Sequence, residues 1–143
     1  MRANSWISVS RVLFFLVILP LVSSLFISGT SFGQDDDGSA DLEQAFQEKI
    51  DATSSRDLDK VVKLCESAIK KGLDEGSLEQ AQQLASSVLF QQAEQLGAKI
   101  FSTGAQDPRW RVYRSQALSK LKKAVKYSPK MGEAFLLTAK LNA

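Results

Sequence analysis

Residues 108–143 read PRWRVYRSQALSKLKKAVKYSPKMGEAFLLTAKLNA, the stretch of the chain with a recognisable plan. Ala117, Leu121 and Ala124 recur at steps of three and four, which places them on one face of a helix. Ser128-Pro129 ends that helix, because proline offers no N–H and disfavours a helical residue before it. Phe135 and Ala139 resume the pattern in a further helix, Glu133 to Leu141. The spacing predicts helices folded back on one another, so the expected fold class is all-α, built of antiparallel helical hairpins.

Working upstream, Asp107-Pro108 is a helix start, with an N-cap acid and a proline at the first helical position. Trp110, Tyr113, Ala117, Leu121, Ala124 and Val125 face inward, while Arg109, Arg111, Arg114, Lys120, Lys122, Lys123 and Lys126 mostly do not. Ser102 to Gln106 is a loop. Before it, Ser77-x-x-Gln80 predicts the cap of a long helix reaching Ser102. That helix has one face of Ala81, Leu84, Ala85, Val88, Leu96 and Ile100 and a second of Phe90, Ala93, Gly97 and Phe101, as expected of a helix with neighbours on both sides. Gly97 costs it about 1 kcal/mol against alanine, offset by a close helix approach or marking a local break.

Earlier still, Ser54-x-x-Asp57 starts a helix lined by Leu58, Val61, Val62, Cys65, Ala68 and Ile69. Its end is clear: Lys70 and Lys71 suit the last turn, Gly72 the cap, and Leu73 folds back onto Ala68. Asp41-x-x-Gln44 predicts a first helix to about Thr53, with Leu42, Ala45, Phe46, Ile50 and Thr53 on its apolar face.

Between Ala117 and Ala139 six positions, in a span of 23 residues, resemble the tetratricopeptide repeat family. Pro129 stands at the proline that ends a repeat's second helix. Ala117, Leu121 and Ala124 fall on the alanine, aromatic and alanine positions before it, and Phe135 and Ala139 on the bulky and small positions of the next repeat. Upstream the register departs from the family: Phe101 takes the tryptophan position, but Gly104 and Ala105 fall in the loop where leucine and glycine are expected. The resemblance implies a short solenoid of irregular hairpins over 41–143 that binds a protein or peptide. Such units need about three copies to cover one another's apolar faces, so the expectation is a domain incomplete at its C-terminal end.

The first 33 residues obey another logic. Arg2 and Arg11 precede the apolar run Val12 to Leu19, Pro20 breaks it, and small residues come after it up to Gly33. These are the parts of a secretory signal, with cleavage expected after Gly33 and Ala40 as the fallback. The alternative is an uncleaved anchor over 12–29. Either way the positive charge lies before the apolar core, so the remainder is expected outside the cytoplasm, periplasmic or extracellular, or held at the membrane. Residues 34–40, QDDDGSA, read as an acidic linker.

Charge divides the remainder of the chain. Gln34 to Leu96 holds 14 acids and 6 bases, while Gly97 to Ala143 holds 2 acids and 10 bases, so the two stretches carry −8 and +8. Such halves attract each other within a fold or between copies, making a homo-oligomer one possibility. The sequence has no histidine and one cysteine, Cys65, so it lacks the usual general base and commonest metal ligand and can close no internal disulfide. Cys65 on an apolar helix face reads as a core residue rather than a reactive thiol. Asp35 to Asp37 lack the interleaved ligands of a calcium loop, and Trp110 and Tyr113 read as core rather than as a nucleic-acid stacking platform.

No spacing singles out a catalytic, cofactor or metal constellation. The expected function is protein or peptide binding without catalysis, Arg111, Arg114, Lys122 and Lys126 forming a surface that selects acidic partners. Nucleic acid is not an expected partner. Two alternatives are the non-catalytic front of a longer exported enzyme and a self-associating structural protein of the cell envelope.

Overall fold

Five helices succeed one another through the described residues, 38–103 and 107–143, of a computed structural model: α1 (Ser39–Asp51), α2 (Ser55–Lys71), α3 (Glu75–Thr103), α4 (Trp110–Tyr127) and α5 (Gly132–Asn142). No strand occurs among the described residues, so the fold class is all-α. The signal or anchor reading, the cleavage after Gly33 and the triplet Asp35 to Asp37 lie outside them. No helix among them is long and apolar enough to cross a membrane.

α1 begins two residues before Asp41, inside the stretch read as linker, with Gly38 at its N-cap and no side-chain cap bond. Steric room sets this start. Gly38 is buried against the end of α2, where an added Cβ would run into the carbonyl oxygens of Ala68 and Gly72. Asp41, freed from capping, pairs with Lys71 at 3.1 Å and ties the start of α1 to the end of α2. Leu42 and Ala45 are buried, but Phe46 and Ile50 are 39% and 76% exposed, so the apolar face is narrower than the periodicity predicts. Among the described residues the neighbours of α1 are α2 and α3.

α2 forms as the sequence reads. The Ser54 hydroxyl accepts from the Asp57 N–H, and the Asp57 carboxylate accepts from the Ser54 N–H at 2.9 Å, a complete capping box. At the far end Gly72 takes a φ of 109°, which side chains disfavour, and its N–H donates to the Ala68 carbonyl. Leu73 then packs against the cluster of Leu42, Ala68 and Ala81.

α3 starts earlier than Ser77. Asp74 caps it, its carboxylate accepting from the Ser77 N–H at 3.0 Å and from the Ser77 hydroxyl. The helix runs 29 residues, about 43 Å, through Gly97 without a break. It meets all four other helices. Its first half packs with α1 and α2 through Ala85, Val88 and Leu89, beside Val61, Val62 and Cys65, and Ala124 of α4 joins the same core. Its second half packs with α4 and α5 through Ala93, Leu96 and Ile100, beside Ala117, Leu121, Ala134 and Leu141. Eight of the buried residues are alanines, small side chains that permit close helix packing.

Two readings of the C-terminal hairpin change. α4 begins at Trp110 because residues 107–109 form a turn in which Asp107 accepts from the N–H of Arg109 and of Trp110, leaving Trp110 and Tyr113 half-exposed instead of core. In α5 the buried residues are Ala134 and Leu141, whereas Phe135 is 53% exposed and Ala139 is also exposed, so neither is a packing position here. The rotation of α5 is set by Leu137, which sits over Gly97, and by Arg114, which donates to the Leu141 carbonyl. Ala117, Leu121 and Ala124 are fully buried, and Pro129 is exposed in the turn.

Candidate binding groove

No Cα atom of α2 comes within 8 Å of one in α4, although both helices lie on α3. Between them runs a groove of about 530 Å³, floored by Val62 and Leu89. Asp59, Lys63 and Glu66 form the α2 wall; Ser115, Gln116, Ser119, Lys120 and Lys123 form the α4 wall.

The polar centre of this region is Gln92, 1% exposed on α3. Its amide donates to the Ser55 carbonyl at 3.1 Å and to Asp59 at 2.9 Å, and its carbonyl oxygen accepts from Lys120 at 2.8 Å. Lys120 also reaches Asp59 at 3.2 Å, so one buried amide and two charges link three helices. A second bridge crosses further along: Lys123 pairs with Glu66 at 2.5 Å, and the Tyr127 hydroxyl donates to Glu66 at 3.0 Å. Periodicity alone does not reveal Gln92, since it falls beside the alanine of an apolar face. A glutamine between Leu89 and Ala93 on a helix expected to have neighbours on both sides was the available signal.

The charges tune one another. Partial burial raises the Asp59 carboxyl, but the Gln92 amide and Lys120 outweigh it and hold the group below its ordinary value. Burial pushes the Tyr127 phenol up to about 12, helped by Glu66. Burial likewise pushes the Cys65 thiol up to about 11, and the side chain is fully covered, so it is a small core residue with little thiolate character.

The four residues expected to select acidic partners are not one surface. Arg111, Lys122 and Lys126 are exposed on one side of α4, next to the groove, with Arg111 stacked 5.4 Å from the Trp110 ring. Lys122 and Lys126 make no ion pair among the described residues. Arg114, one turn along from Arg111, turns away from the groove toward α5, donating to the Leu141 carbonyl and, at 3.1 Å, to Asn142, where it satisfies the end of α5. The opposite-signed halves meet inside the chain, as Lys120 and Lys123 against Asp59 and Glu66. Among the described residues no three histidine, cysteine or acidic side chains are grouped to hold a metal ion.

No family model matches this chain, and no curated protein or solved structure matches it.

Proposed function

We propose that the chain is an exported, non-catalytic helical module that binds an acidic peptide segment of another protein along the α2–α4 groove. The observation that carries the reading is the groove itself, open between two helices whose backbones stay apart and lined by short polar side chains and neutralised ion pairs. Its floor offers apolar contact, Ser115, Gln116 and Ser119 offer hydrogen bonds to a peptide backbone, and Arg111, Lys122 and Lys126 beside it carry the unneutralised positive charge. Arg114 is left out of this surface because it is spent on α5.

Helix order supports a tetratricopeptide-like stacking. α1 packs against α3 and α3 against α5, while α2 and α4 each pack on the helix between them, an alternation characteristic of stacked hairpins. The 29-residue α3 exceeds the helices of a regular 34-residue repeat, so the stacking would be an irregular version of that plan. Export rests on the charged, apolar and small-residue order of the first 33 residues.

The test is fluorescence anisotropy with the full chain and three labelled peptides of equal length, rich in glutamate, in lysine and in serine. The acidic peptide should bind at least tenfold tighter than the others at low salt, and Lys122→Glu with Lys126→Glu should remove that preference. Equal affinity for all three, or preference unaffected by the two reversals, would refute the reading.

A further inference from the structure

α5 turns an apolar face away from the rest of the chain. At 3.6 residues per turn, Gly132, Leu136, Ala139 and the cap residue Ala143 fall within about 60° of arc, and all are exposed. Leu136 is 65% exposed and Phe135, beside it, 53%. On one edge of this face stand Glu133 and Lys140, seven residues apart and thus nearly in line along the helix. Neither makes an ion pair among the described residues. Glu94 of α3 stands on the same edge, beside Phe90 and Leu137. The far end of the helix is fixed by Arg114 on the Leu141 carbonyl, so the face is held in shape to its last turn.

This pattern is its own complement. When two copies of α5 cross antiparallel about a twofold axis, residues whose numbers add to 275 lie opposite each other: Leu136 meets Ala139 of the second copy, and Gly132 meets Ala143. Each bulky side chain thus opposes a small one. In an antiparallel pair the same edge of each helix meets itself. Glu133 of one copy then comes alongside Lys140 of the other, twice by symmetry, with Glu94 adding to the acid that faces each lysine. In a parallel pairing opposite edges would meet, leaving the Glu133 and Lys140 of the two copies on opposite sides of the contact with no charge pair between them. We propose that the exposed face of α5 is an isologous interface through which two copies of this chain associate, antiparallel at α5, with paired Glu133–Lys140 contacts fixing the orientation. About three turns of helix from each copy lie near the lower size limit of a specific interface, so the dimer exchanges with monomer at micromolar concentration.

The test is charge exchange in the purified full chain, prepared with either of two tags and read as capture of one tag by the other in a mixture. Wild type captures itself. Glu133→Lys and Lys140→Glu alone each place like charges together and should weaken self-capture at least tenfold. Mixing the two variants, or combining both changes in one chain, restores opposite charges and should restore capture to within about threefold of wild type. Absence of wild-type self-capture at tens of micromolar would overturn the proposal. So would indifference to the single reversals, as expected if the apolar run Val12 to Leu19 drives association, and so would loss without rescue, the result expected if α5 is covered by a different protein. Circular dichroism of each variant reports whether the fold survives. Should Glu133→Lys lose helix by placing a cation at the start of α5, Leu136→Gln keeps the helix and must still lose capture.

Discussion

An added Cβ at Gly38 would meet the backbone oxygens of Ala68 and Gly72, neither of which is free to move without unwinding the end of α2. Gly38→Ala should therefore cost about 1–3 kcal/mol through overpacking, a fall of roughly 5–15 °C in a thermal melt. Gly97 is buried too, yet the nearest atoms to a Cβ there are Leu137 and Phe101 side-chain carbons at 3.5 and 3.6 Å, ordinary contact distances. Gly97→Ala should raise the melting temperature by roughly 3–6 °C, the gain of about 0.5–1 kcal/mol that alanine brings to a helix interior. The sequence signals a cost at Gly97 and is silent about Gly38, because the first lies within a periodic pattern and the second answers to a carbonyl 30 residues away.

Helices whose ends are written in neighbouring residues are the legible ones. The start of α2 depends on Ser54 and Asp57 and its end on Lys70, Lys71 and Gly72, so its boundaries arise from local chemistry. The starts of α1 and α4 do not, since a buried glycine and a turn at 107–109 displace the acids that read as caps. Of the site, the basic side chains of α4 were legible, while the groove was not, because a groove is a relation between α2 and α4 that neither helix encodes alone. Gln92 makes that relation specific. Gln92→Ala should leave the Ser55 carbonyl and Asp59 without the amide and cost about 1–3 kcal/mol, as chemical denaturation would read. Lys120→Met, which removes the ion pair to Asp59 and also leaves the buried Gln92 carbonyl oxygen without its donor, should cost about 1–3 kcal/mol by the same measurement.

For the whole molecule the titrating groups define a pH window. Asp41 is held down by Ser67 and Lys71, Asp57 by Ser54, Asp74 by Ser77 and Asp107 by the Arg109 N–H, and Asp59 is also lowered despite its partial burial. A carboxyl with a depressed folded value stabilises above its unfolded value of 3.8 and loses that contribution as pH falls through the folded one. Cys65 and Tyr127 are raised, so their contribution is complete below unfolded values of 9.0 and 10.0 and declines as pH rises through about 11 and 12. Melting temperature should be flat between about pH 5 and 8, falling below about pH 4 and above about pH 9. Tyr127→Phe should flatten part of the alkaline limb while leaving the acid limb unchanged.

Within α3, Leu89 belongs to the core made chiefly with α1 and α2, which the end of α4 joins through Ala124, and Ala93 to the core shared with α4 and α5. One helical turn separates these allegiances. Amide hydrogens towards either end of α3 can trade with deuterium when the nearer core alone lets go, whereas those of the turn 89–93 must wait until both have opened. A single unbroken helix would then record two separate opening events, with its slowest protons at the seam between them.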